Sequence, residues 1–150
     1  MDNISIRRLS LDDLDQLTAL EGACFSAPWS REAYRQELED NDLACYWGLF
    51  ADHRLVGFAG YWLILDEAHI TNVAVAPDCR RRGLGRLLVQ TLCTSCLAAQ
   101  GRYLTLEARA GNLAALRLYE EAGFTREGRR RDYYDQPVED AIIMWKDLQS

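Results

Sequence analysis

Apolar positions in this chain change period repeatedly, and the changes mark its elements. Ile4, Ile6 and Leu9 predict a first strand. Leu11, Leu14, Leu17 and Leu20 then fall at helical spacing, and Ser10 with Asp13 three later resembles a capping box with Asp in place of the usual Glu. The loop Phe25-Ser26-Ala27-Pro28-Trp29-Ser30 leads into a second helix over about 31–40, which Asn41-Asp42 ends. Strands are predicted over about 44–50 and 55–65, with the turn Asp52-His53-Arg54 between them. After Asp66-Glu67 a fourth strand covers about 68–75. Its alternation is not clean: Ile70 and Val73 are three apart, and a period of two cannot put both on one face. A β-bulge near Asn72 reconciles them. A third helix runs over about 84–99 and stops before Gly101; a fifth strand covers about 102–107. A fourth helix over about 112–122 has Gly123 as its C-cap, and two strands over about 124–132 and 138–146 close the chain. The order β-α-α-β-β-β-α-β-α-β-β predicts an α/β fold, a mixed sheet with helices on both faces. No repeat, low-complexity tract or linker interrupts it.

The bulk numbers agree with that picture. A chain of 150 residues is one domain, and 49% apolar residues are enough for a core. No secretory apolar region follows Met1, whose segment reads as an immediate strand. The longest apolar run, Phe58 to Leu65, is too short to span a bilayer, so a soluble cytoplasmic protein without membrane contact is expected. The five cysteines do not look like a disulfide framework. Cys93-x-x-Cys96 falls inside a helix, where i and i+3 share a face. With no second pair, and only His53 and His69 as histidines, it reads as packing rather than as a metal site.

The net charge of −6 hides an uneven distribution. Arg80, Arg81, Arg82 and Arg86 cluster before and in the third helix, and Arg126, Arg129, Arg130 and Arg131 near the end. So acidic a body is a poor nucleic-acid binder. Local basic patches on it suit a phosphorylated ligand, with a cationic second substrate elsewhere.

The first of those patches is the most informative stretch. Asn72-Val73-Ala74-Val75 is followed by Ala76-Pro77-Asp78-Cys79 and then Arg80-Arg81-Arg82-Gly83-Leu84-Gly85-Arg86, opening into a helix. Such a loop converges backbone N–H groups at a helix N-terminus, and its glycines let a ligand approach closely. The prediction is a phosphate or pyrophosphate site. The dinucleotide pattern G-x-G-x-x-G fails because Leu88 stands where the third glycine belongs. The nucleotide P-loop fails because no Lys-Ser or Lys-Thr occurs anywhere.

What remains, Arg80-x-x-Gly83-x-Gly85 after a Val-Ala-Val strand, resembles the acyl-CoA pyrophosphate loop of the GNAT acetyltransferase superfamily. The element order is that of its fold, and the resemblance covers essentially the whole chain. Within the superfamily the chain is most similar to the ribosomal-protein-alanine N-acetyltransferase family. Pro28-Trp29-Ser30, Leu65-Asp66-Glu67-Ala68, Leu106-Glu107-Ala108-Arg109-Ala110, Asn112, Leu118-Tyr119-Glu120, Gly123-Phe124, Arg130-Arg131-Asp132-Tyr133-Tyr134 and Glu139-Asp140-Ala141-Ile142-Ile143-Met144 carry that likeness.

The resemblance implies a mostly antiparallel seven-stranded sheet, splayed between strands four and five, with about four helices. It implies acetyl-CoA as cosubstrate, held by Val73, Ala74 and Val75 along its pantetheine arm and by Arg81, Arg82, Gly83, Leu84, Gly85 and Arg86 at the pyrophosphate, with Asn112 as a further contact. Acetyl transfer to an amine needs a neutral nucleophile, donors for the developing oxyanion and a proton for the leaving thiolate. Glu107, at the end of strand five, is placed as general base. By pattern alone Tyr119 is a core aromatic, in step with Leu113 and Leu116; the resemblance makes it the general acid. Pro28-Trp29 and Tyr133-Tyr134, read as loops, with Glu67, are expected near the acceptor. The implied acceptor is the N-terminal alanine of ribosomal protein S18, whose amine attacks the thioester directly in a ternary complex, and the implied enzyme is a monomer or weak dimer. A GNAT enzyme for small amines or lysine side chains, or a CoA-binding module without turnover, stays open from sequence.

Overall fold

The computed structural model describes residues 3–149; Met1 and Asp2, where the immediate strand was expected to begin, lie outside the described residues. Eleven main elements follow in the predicted order: β1 Ile4–Arg8, α1 Leu14–Cys24, α2 Arg31–Glu39, β2 Ala44–Ala51, β3 Arg54–Ile64, β4 Glu67–Val75, α3 Leu84–Ala98, β5 Tyr103–Arg109, α4 Leu113–Glu121, β6 Thr125–Tyr134 and β7 Glu139–Asp147. The first helix is preceded by a 3-10 turn over Leu11–Asp13, where the Ser10 N–H donates to Asp13 Oδ2 at 2.9 Å. That is the carboxylate arm of the expected capping box, worked by Asp. At the other end of the chain's helices, Gly123 takes φ +97° just past α4, and Lys146 Nζ donates to the Ala122 carbonyl at 2.8 Å.

The strands form one seven-stranded sheet in the order β1-β2-β3-β4-β5-β7-β6, parallel only between β4 and β5. β3 is buried without interruption from Leu55 to Tyr61, which requires cover on both faces. Side-chain contacts show how the cover is shared. Phe58 packs its ring edge-on against Tyr34 of α2, whereas a Cβ on its neighbour Gly57 would meet Leu88 of α3 at 3.1 Å. Adjacent strand residues point to opposite faces, so α1 and α2 cover one side and α3 the other. Ser95 of α3 anchors the second side by hydrogen-bonding the Tyr61 hydroxyl at 2.7 Å and Trp47 Nε1 at 3.1 Å.

Two irregularities shape the centre of the sheet. Gly60 pairs with Asn72 but Tyr61 with Ile70, so Thr71 is the extra residue of a β-bulge, one position from the predicted Asn72. The parallel pairing of β4 with β5 covers only Glu67↔Tyr103, Ala68↔Leu104 and His69↔Thr105. Beyond that rung the strands part: β4 continues to Val75 beside β3, and β5 to Arg109 beside β7. The sheet therefore opens as a fork just past the bulge. Tyr133 and Tyr134, expected in a loop, belong to β6, because Tyr134 still pairs with Glu139 across the hairpin.

Candidate functional site

The fork leaves backbone groups of β4 without a strand partner on one side. Ala76 N–H donates to Val56 O at 2.7 Å, so by antiparallel alternation Ala74 also directs its peptide groups to β3, while Val73 and Val75 turn theirs toward the opening. Arg80 Nε, at 3.0 Å, already donates to the Val75 carbonyl.

An open cleft of about 1050 Å³ runs from this edge to the start of α3. Nine of the ten residues expected at the cosubstrate line it, from Val73 to Val75 through Arg81, Gly83, Leu84, Gly85 and Arg86 to Asn112; Arg82 does not. The loop turns by left-handed residues, Arg81 at φ +65° and Gly83 at φ +78°. Gly83 is the residue before α3, and a Cβ there would meet nothing within 4 Å, so its role is conformational. Gly85 differs: it lies inside the first turn, and a Cβ would stand 3.2 Å from Leu118 Cδ2 of α4. The missing side chain lets α3 and α4 close on each other beside the cleft. The N–H groups of that first turn have no partner four residues back and carry the positive end of the helix dipole. Arg86 is bonded to Glu121 at 2.7 Å, so the loop's charge is partly neutralised within the protein. Asn112 caps α4, its side chain accepting from Ala115 N–H at 3.1 Å while lining the same cleft. Cys24, Arg80, Arg117 and Leu118 also line it. Arg80 belongs to the loop motif and Leu118 to the Leu118-Tyr119-Glu120 likeness, but neither is expected at the cosubstrate from sequence, and Cys24 and Arg117, on other helices, carry no local signal.

Glu107 does not line this cleft; it stands on the face of the sheet that α1 and α2 cover. His69 lies opposite Trp62, whose indole N–H donates to Glu37 of α2 at 2.6 Å, so His69 faces α2. Thr105 pairs with His69, and Glu107, two residues on, shares that face. His69 Nε2 and Glu107 Oε2 are 2.5 Å apart. The imidazole holds the Glu107 carboxyl below the usual carboxylate range against the opposing effect of burial, and the carboxylate raises the histidine in turn. Arg130 acts on both groups. Tyr134, its hydroxyl pushed up to about 12 by burial and the neighbouring Tyr133 and Glu107, and Glu67, a further charge on His69, complete the cluster. From sequence, His69 bears only on the absence of a metal site. Its partnership with Glu107 depends on the parallel register of β4 and β5, which no local pattern encodes.

Tyr119 is 7% exposed on α4, its ring edge-on to Phe124 at 5.5 Å. Burial raises its pKa, so the hydroxyl keeps its proton. The Glu21 carboxylate, 2% exposed, fixes the Pro28-Trp29 loop: it accepts from Trp29 N–H at 2.8 Å and from the Tyr34 hydroxyl at 2.7 Å. Trp29 stacks near Tyr34, and Tyr133 against Tyr134; the two aromatic pairs share no ring contact among the described residues.

Comparison with known proteins matches this geometry. The profile of the acetyltransferase (GNAT) family covers residues 14–124. The [ribosomal protein bS18]-alanine N-acetyltransferase of Salmonella typhimurium is 41% identical over 146 residues, 96% of each chain. The crystal structure of the ribosomal-protein-S18-alanine N-acetyltransferase from Escherichia coli superposes with a TM-score of 0.90 at 34% identity, over 97% of this chain and 94% of that one. Arabidopsis thaliana NAA60, solved with a bisubstrate analogue, shares the fold at a TM-score of 0.87 and 18% identity, over 97% and 98% of the two chains. A forked seven-stranded sheet, a glycine-bearing basic loop at the mouth of α3 and a family match across most of the chain give one conclusion: this chain belongs to the acetyltransferase (GNAT) family.

Proposed function

We propose that this chain transfers the acetyl group of acetyl-CoA to a protein N-terminal α-amine, with the N-terminal alanine of ribosomal protein S18 as acceptor. Enzymes of this family use acetyl-CoA. The observation that carries the reading is the fork itself: the basic glycine-bearing loop and the open edge of β4 line one cleft, and Glu107, bonded to His69, stands on β5 two residues past the last β4–β5 rung. The acceptor is proposed from the relatives' activity, since they match nearly end to end.

Arg81, Gly83 and the first turn of α3 suit the pyrophosphate, and the outward backbone groups of Val73 with the Val75 N–H suit the pantetheine amides as a missing strand would, the Val75 carbonyl being held by Arg80. Bound acetyl-CoA supplies the thioester. Glu107, held ionised, takes the proton of the incoming ammonium, directly or through water. Tyr119, held protonated, provides the proton for the departing thiolate. An α-amine ionises near 7.7–8.0 against about 10.4 for lysine, so deprotonating lysine would cost roughly 3.4 kcal/mol more. One modest carboxylate therefore suits an N-terminus better than a lysine side chain.

Steady-state assays with an S18-like N-terminal peptide, the same peptide blocked at its α-amine, and free polyamines test the reading. Turnover of the unblocked peptide alone is expected. Turnover of amines or lysines only would overturn it.

A further inference from the structure

Nothing in the chemistry above requires His69, yet it occupies a particular place. His69↔Thr105 is the last rung before β4 and β5 part, and Glu107 is the next residue on that face of β5. The 2.5 Å contact between His69 Nε2 and Glu107 Oε2 thus spans the base of the fork. The side chain of His69 is 39% exposed and that of Glu107 16%, so the carboxylate is the more buried partner of the pair. Oε1 accepts from no other side chain among the described residues and is not a fully enclosed atom.

We propose that His69 is a positioning residue for Glu107: it ties down Oε2 and leaves Oε1 as the oxygen that meets the acceptor amine. The inference rests on the reading of Glu107 as base. Glu107 lies inside β5, opposite Ile143, not at the strand end expected from sequence, and its side chain has several rotamers, of which the His69 contact holds one. A charge-assisted hydrogen bond selects that rotamer in advance of substrate. The groups facing the pair are Glu67 from β4, Arg130 and Tyr134 from β6, and no histidine other than His53 exists in the chain. Loss of His69 would leave Arg130 as the cationic neighbour acting on Glu107 while burial pushes the carboxyl upward.

The test compares His69→Ala, His69→Gln and Glu107→Gln in the full-length protein. His69→Ala is expected to lower kcat about tenfold or more, with the KM for acetyl-CoA changed less than twofold, and to move the acid limb of the kcat profile to higher pH. His69→Gln keeps a donor near the Nε2 position and is expected to recover most of kcat. In the wild type, the proton NMR titration of His69, read against His53, is expected above 6.5 and to fall in Glu107→Gln. A His69→Ala enzyme with kcat within twofold of wild type and an unmoved acid limb, beside an impaired Glu107→Gln, would overturn the positioning role. An unimpaired Glu107→Gln would instead overturn the base on which it rests.

Discussion

The proposed base Glu107 and the proposed acid Tyr119 need opposite protonation states, and different surroundings supply them. Burial alone would raise both, and for Tyr119 it does, which keeps the proton that the proposed general acid has to give. For Glu107 the His69 contact outweighs burial and keeps the carboxylate charged, as the proposed role of base requires. Glu107→Gln is expected to lower kcat by about a hundredfold, the scale of general-base catalysis. Calorimetry on the same variant is expected to show acetyl-CoA affinity within a factor of two. Tyr119→Phe keeps the ring against Phe124 and removes a hydroxyl without a hydrogen-bond partner among the described residues, so its stability should change by about 0.5 kcal/mol or less. Its kcat should nonetheless fall, and thermal melts beside steady-state rates check the two halves together. The pair also has a pH signature in stability. Glu107, depressed in the folded state, contributes above its unfolded pKa near 4.3 and loses that contribution as pH falls through its folded value. His69, raised in the folded state, contributes below about 6.5 and loses that contribution as pH rises through its folded value. Wild type should therefore exceed His69→Ala in Tm most between about pH 4.5 and 6.5. The gap should close at higher pH, where the imidazole is neutral, and its partial exposure keeps the maximum to about 1 kcal/mol or less.

Element by element, two glycines in one loop have separable tasks. Gly85→Asp forces a side chain against Leu118, 3.2 Å from the Cβ position, and sets a negative charge beside an anion site. Acetyl-CoA binding should weaken at least tenfold by calorimetry. Gly85→Ala adds only the contact, which the flexible end of Leu118 can yield to, and should weaken binding far less. Gly83→Ala meets no atom but must hold φ +78°, at a cost of about 1 kcal/mol that a melt would register. Much of this level was legible beforehand. The break between Ile70 and Val73 announced the bulge because a strand's period of two is rigid, and the structure places the extra residue at Thr71. Helix ends at Asn41 and Gly123 were legible for the same local reason. What stayed hidden is non-local. The reach of the β4–β5 pairing depends on how far two strands distant in sequence run together, so His69 gave no sign of meeting Glu107. Tyr133 and Tyr134 looked like loop residues because β6 is an exposed edge strand, studded with arginines, whose pattern lacks apolar alternation. Glu21, buried under the Trp29 loop, was invisible to a pattern that expects carboxylates outside. Its replacement by Ala leaves the Trp29 N–H and the Tyr34 hydroxyl unpaired, a loss of about 2–4 kcal/mol expected to appear as a Tm lowered by roughly 5–15 °C.

For the whole molecule, the fork is a gap in an otherwise continuous sheet, and a gap has a thermodynamic consequence. β4 beyond His69 and β5 beyond Thr105 lack the cross-strand pairing that every other inner strand boundary has. Apart from the Val75 carbonyl, which accepts from Arg80, the backbone groups of Val73 and Val75 that a neighbouring strand would engage are left to solvent or to a ligand. A ligand that completes the sheet binds the folded chain and not the unfolded one, so it must raise the unfolding free energy by mass action. At a hundredfold excess over Kd the gain is about 2.7 kcal/mol, which for a chain of this size corresponds to a Tm rise of roughly 5–10 °C. CoA should produce that rise, and dephosphorylated pantetheine, which can follow the β4 edge but offers nothing to the loop, should produce much less at the same concentration. The difference between the two should shrink as salt is added, because Arg80, Arg81 and Arg117 attract the phosphates through solvent that salt screens. The backbone contribution should persist in salt. A rise with pantetheine equal to that with CoA would remove the basic loop from ligand binding, and no rise with either would remove the fork.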